Sequence, residues 1–157
     1  MEIGDALGGG FYVGDITDGG VDYHLIVAPK AEGEAVKRWI DSETGADSDT
    51  NGPGNTAKIL QQHATFPAAQ FCADLRLGGF DDWYLPSKRE LNVVNKALKA
   101  LAAIGEAFAD DLFWSSTEGS APGAWFQAFG SGGPGGQNYG GTKTDACCVR
   151  AFRRLII

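Results

Sequence analysis

Two histidines, three cysteines and one run of alternating oxygens are the residues of this 157-residue chain with the clearest chemical potential. His24 sits in a strand-like run and His63 at the end of a helix-like one. Neither has the spacing of a zinc motif, so His24 reads as structural. Asp47-Ser48-Asp49-Thr50-Asn51-Gly52 matches the opening of a calcium loop, D-x-D-x-N-G. There, oxygens at alternate positions converge on a cation and the glycine permits a sharp turn. The twelfth position is Lys58, where a bidentate glutamate belongs. Asp47, Asp49 and Asn51 are therefore the calcium candidates, and a solvated polar loop is the plainer reading. No other cofactor is expected. The pairs Asp81-Asp82 and Asp110-Asp111 are sequence neighbours, which do not share a site by default, and the first pair reads as turn chemistry before Trp83.

Cys72, Cys147 and Cys148 are odd in number and form no C-x-x-C, so a disulfide framework is not indicated. Buried reduced thiols are one reading, and a single bridge from Cys72 to Cys147 or Cys148 is the other. The chain has no G-x-S-x-G, no P-loop and no dinucleotide fingerprint that opens a helix. The expectation is a protein that binds without catalysing. Trp125, Gln127, Gln137, Asn138 and Tyr139 lie in or near a glycine-rich stretch, 130–141, and combine flat apolar faces with amide and hydroxyl groups. Rigid aromatics supply contact area and amides supply direction, so these five are the candidate ligand-binding residues. The other tryptophans, above all Trp83 and Trp114, read as core.

The elements that must position these residues begin with two β-rich runs, 11–16 and 21–28, around the turn signal Gly19-Gly20. They predict a hairpin. Residues 35–40 suggest a third short strand. A polar loop over 41–55 leads to a helix capped by Asn55 and running to about 64. Pro67 restarts a helix that Gly78-Gly79 should stop. Ser87-Lys88-Arg89-Glu90 is a capping box. Leu91, Val94, Leu98 and Leu101 then form one buried stripe, ended by Gly105. Strands are expected over 113–116, 124–129 and 147–155, with 130–141 as a surface loop. Strands, then helices, then strands predict an α+β domain with helices packed on antiparallel sheets and the terminal strands paired.

Length suits one domain over 1–157. Thirteen basic against twenty acidic residues leave a net charge of −7. Residues 1–50 hold eleven acids and three bases, whereas 142–157 hold one acid and four bases. An acidic surface repels phosphate, so nucleic acid is not an expected partner. The apolar runs are too short for a membrane helix, and the first residues lack the basic and apolar regions of a secretory signal.

Four separated strings then carry a resemblance. Gly78-Gly79-Phe80-Asp81-Asp82-Trp83-Tyr84-Leu85-Pro86-Ser87-Lys88-Arg89-Glu90-Leu91 resembles a G-x-x-D-W-x-L-P-[ST]-x-x-E-L signature. Phe113-Trp114-Ser115-Ser116-Thr117, Ala124-Trp125 and Val149-Arg150-Ala151-Phe152-Arg153-Arg154 follow in order. Together they resemble the Lcl C-terminal domain family, named for a bacterial collagen-like adhesin. The N-terminal part is similar to phage tail and tail-fibre members. The resemblance implies a C-type lectin-like fold with two main helices. It implies a virion protein of the tail fibre, tail tip or baseplate, assembled in the bacterial cytoplasm with other tail proteins. Such a protein binds a host surface glycan or protein, without membrane insertion, as a homo-oligomer such as a trimer. A decoration or connector subunit is the alternative, and an enzyme like the formylglycine-generating relatives is a third. In this resemblance Trp83, Leu85 and Trp114 are scaffold, and specificity belongs to 118–145.

Overall fold

Alternating side chains and a glycine pair build the expected hairpin. In the computed structural model β1 (Ala6–Leu7), β2 (Gly10–Asp18) and β3 (Val21–Val27) run antiparallel, with Asp18 across from Val21. Gly19 and Gly20 have φ of +58° and +83°, the backbone of a tight turn that matches strand twist. The model describes residues 1–40, 43–62, 65–119, 123–130, 135–143 and 145–157, without the side chains of 138–142. His63 and residues 131–134 of the glycine-rich stretch lie outside the described residues.

The C-terminal strand β9 (Phe152–Ile156) pairs with β3, so the first sheet has the order β1-β2-β3-β9. The two chain ends thus share a sheet but are not neighbours in it, which corrects the expected pairing. β1 already occupies the outer side of β2, and β3 offers the open edge.

The second sheet contains β4 (Glu34–Arg38), β5 (Leu112–Glu118), β6 (Gly123–Ala128), β7 (Gln137–Thr142) and β8 (Ala146–Arg150), in the order β4-β8-β5-β6-β7. β5 and β8 run parallel, an exception to the expected antiparallel pairing. The run 147–155 is two strands rather than one. Ala151 breaks it, donating to the Gly33 carbonyl and accepting from the Ala28 amide. This hinge sends β8 into one sheet and β9 into the other. Part of the expected glycine-rich loop is also strand, since β7 forms the end of the second sheet.

A single helical turn, α1 (Lys30–Gly33), links β3 to β4. α2 (Gly52–Leu60) is capped by Asn51, not Asn55: the Asn51 side-chain oxygen accepts from the Gly54 amide at 2.9 Å. Asn55 lies buried inside the helix and exchanges hydrogen bonds with the Ser48 backbone. α3 (Pro67–Asp74) starts at the expected proline but ends before Gly78-Gly79. Those glycines instead turn the chain between Leu77 and Phe80. The capping box opens α4 (Lys88–Val93) as expected, but a 3₁₀ turn over Val94–Lys96 separates it from α5 (Leu98–Ala103). In place of the expected pair of main helices there are five short α-helices and one 3₁₀ turn among the described residues.

The architecture is α+β. Trp39, Trp83, Trp114 and Ile59 pack one core under α2 and α3, while Val13, Leu25, Leu91, Leu101, Phe113 and Phe152 form a second under α4 and α5. No helix among the described residues is long and apolar enough to cross a membrane.

Candidate functional site

The Ser87 cap fixes the position from which the site is built. Its hydroxyl accepts from the Glu90 amide, and Glu90 accepts from the Ser87 amide at 2.8 Å. Lys88 follows at the first helical position. Its amide donates to the Thr117 hydroxyl at 3.0 Å, and its carbonyl accepts from the Gln137 side-chain amide. The backbone of Lys88 is thus fastened to β5 and to β7. The ammonium lies 3.9 Å from the centre of the Trp125 ring and 3.4 Å from the Asp49 carboxylate. A cation over an aromatic face is attracted by the ring quadrupole. Trp125 is half-buried, and its carbonyl accepts from the Ser115 hydroxyl at 2.7 Å.

Antiparallel register brings most of the expected binding residues together. Tyr139 stands across from Trp125, and Gln137 across from Gln127. Asn138 takes the position across from Phe126, whose ring packs edge-on against buried Trp114. The side chains of Asn138 and Tyr139 lie outside the described residues.

Gln127 does not stand at the surface as expected. It is fully buried beneath the turn after α4. Its amide donates to the Gly135 carbonyl at 2.5 Å and lies 3.5 Å from the Asn95 side-chain oxygen. Asn95 itself donates to the Gly135 carbonyl and accepts from the Gly135 amide, both at 3.1 Å. One side-chain amide thereby imitates a strand partner. Gln127, Gln137 and Asn95 together pin the returning glycine-rich segment to the helix. This helix–sheet contact occupies the side-chain amides of Gln127 and Gln137, and leaves Trp125 with Lys88 at its outer margin. Asn95 and Lys88 were missed because both stand on a helix whose apolar stripe explains its existence without them.

Two of the three calcium candidates are engaged otherwise, and Asp47 is exposed. Asn51 caps α2 and accepts from Arg154, Asp49 pairs with Lys88, and the Lys58 ammonium donates to the Gly45 carbonyl at 3.3 Å. Among the described residues no group of acidic, histidine or cysteine side chains is placed to hold a metal. All three cysteines are free thiols, so no bridge joins Cys72 to Cys147 or Cys148. Burial pushes the Cys72 thiol far up, and it raises Cys147 and Cys148 to about 11, with Asp111 adding to the rise. His24 binds Asp15 at 2.6 Å beside the Tyr12 ring.

The signature residues other than Trp125 and Lys88 include the scaffold. Trp83, Leu85 and Trp114 are in the core, and Arg150 is fully buried between Glu34 and Glu106. Arg153 binds Asp82 and the Gly8 carbonyl and lies over the Phe80 ring, so the closing string clasps the opening one.

Among solved structures, the chain is similar to a fimbrial protein from Bacteroides ovatus ATCC 8483, with a TM-score of 0.60 and 17% identity. The match covers 82% of this chain and 35% of the fimbrial protein, so the likeness concerns the fold of about a third of that longer molecule. No curated protein matches the chain. The model of the Lcl C-terminal domain matches residues 38–153, which takes in every string of the signature from Gly78 to Arg153. With more than half of its length matched by that model, the chain belongs to the Lcl C-terminal domain family.

Proposed function

We propose that this chain is a non-catalytic recognition domain of the C-type lectin-like type, carried on a phage tail fibre, tail tip or baseplate, where it contacts a host surface glycan or protein. One observation carries the reading. Trp125 is held half-exposed at the β6–β7 end of a rigid frame, with Lys88 fixed over its ring and Tyr139 across from it in register. A large aromatic fixed before contact loses little entropy on binding. Likeness of fold to a fimbrial protein, a component of a surface appendage, accords with display outside a cell or particle. Single-copy affinity is weak in this reading, and several copies on one particle make it effective.

The raised thiol pKa values of Cys147 and Cys148 weigh against a cysteine enzyme, because the thiolate is the reactive form. A connector role has one observation in its favour: β7 ends its sheet, and a neighbouring subunit can add a strand to such an edge.

The test is adsorption of particles, or binding of the isolated chain to host cells, after Trp125→Ala with Tyr139→Ala. Loss of binding at least tenfold with unchanged circular dichroism supports the reading. Full adsorption by the folded double variant rejects it. Burial of Trp125 between subunits in an imaged particle favours the connector.

A further inference from the structure

The surface between the N-terminal segment and the α4–α5 helices has a composition that the recognition site does not explain. A cavity of about 220 Å³ lies between β2 and α4, lined by Ile3, Val13 and Val93, with Asp15 on the strand side and Asn92 and Lys96 on the helix side. It exists because Gly14 sits at a bulge in β2 with φ +138°, where a Cβ would come 2.7 Å from Val93. Beside it the chain start leans on α5: a Cβ at Gly4 would lie 3.7 Å from Ala100 and 3.9 Å from Ile104. Ile3 and Ile104 are 36% and 47% exposed there. Scattered exposed apolar side chains are ordinary, but two beside one groove that also holds Val13 and Val93 form a patch.

Charge is arranged on either side of that patch. Glu2, Asp5 and Asp15 are exposed along the strand side. Asp15 is fixed in place by the Tyr12 hydroxyl at 3.0 Å and by His24. The helix side carries Arg89, Lys96 and Lys99, all exposed. Residues 88–99 hold four of the chain's thirteen cations, and their single acid, Glu90, is buried. One surface therefore presents an acidic strip, an apolar centre and a basic strip side by side.

Such a surface is complementary to itself. A two-fold axis through the groove sets each copy's acidic strip against the other's basic strip and brings the apolar centres together. This is the requirement for an isologous contact, in which residue i meets j and j meets i. We infer that a second copy of this chain docks on this groove, with Asp15 of each copy facing Lys96 of the other. A one-signed partner would leave one of the two strips opposed by like charge, which is why a copy of the same chain fits best.

Sedimentation of the chain over a concentration series tests this. The expected result is a reversible monomer–dimer equilibrium that weakens as salt rises from 0.05 to 0.5 M. Lys96→Glu and Asp15→Lys each raise the dissociation constant at least tenfold, and an equimolar mixture of the two variants restores association. Ile104→Asp, on an exposed side chain, weakens it without touching the hydrogen bonds of Asp15. A chain that stays monomeric at millimolar concentration overturns the inference. So does a trimer, an association indifferent to all three substitutions, or a mixture of charge variants that fails to pair while each remains folded.

Discussion

Arg150 and Lys88 are both cations set against an aromatic ring, and they do opposite work. Arg150 is fully buried, 4.8 Å from the Phe108 ring centre, and is held by Glu34, Glu106 and the Ala28 carbonyl. Lys88 sits over Trp125 with a side chain 21% exposed, beside an Asp49 that is 51% exposed. In the first region each partner has been taken from water, so each depends on the others. In the second, water solvates whatever the protein leaves unpaired. Residue type alone does not separate a clasp from a contact surface; the number of partners that burial makes obligatory does.

Substitution breaks that contrast most sharply at its two centres. Arg150→Met strands two carboxylates and should cost about 3–5 kcal/mol. Lys88→Met should cost less than about 1 kcal/mol, as exposed pairs do. Urea unfolding of both variants measures the gap, and equal losses would falsify the comparison.

The next effect lies between the two regions, at Glu90. Burial raises its carboxyl from the ordinary value of 4.5 to about 7, although Ser87, Tyr84 and Arg154 favour the charged form. Between those values the folded chain keeps a proton that the unfolded chain has released. Stability therefore falls as pH rises from about 4.5 to 7, by an amount of the order of 3 kcal/mol. Thermal unfolding across this range should show a slope that Glu90→Gln flattens. A slope of the same size in the variant assigns it to other groups.

Asn95→Ala should show a smaller effect than Glu90, about 1 kcal/mol for the lost pins on Gly135. Its local signature is larger: faster hydrogen exchange of the Gly135 amide while the β5 amides stay protected. Uniform exchange across both segments would mean that the edge and the frame open together.

The hairpin was legible because β-rich runs and Gly19-Gly20 agree on one local geometry. The capping box was legible because Ser87 and Glu90 satisfy each other across one turn. Where a residue's task depended on remote partners, reading failed. Gln127 looked like a contact residue and became an anchor because Asn95, on another element, reaches the same glycine. Lys143, in a glycine-rich region, is buried 3.0 Å from Glu118 and 4.6 Å from the Trp39 ring centre. Nothing near it in sequence announces an ion pair.

Local propensity, turn chemistry and the four signature strings were enough to determine the α+β class, the family and the scaffold role of Trp83 and Trp114, because these depend on near neighbours or on a pattern repeated across relatives. Tertiary structure alone decided that the C-terminal run divides at Ala151 between two sheets, that the calcium-like loop caps a helix, and that α4 and the turn after it engage the amides of Gln137 and Gln127. Each of those outcomes turns on which distant backbone groups must be satisfied once water is excluded, and that pairing exists only when the chain has folded.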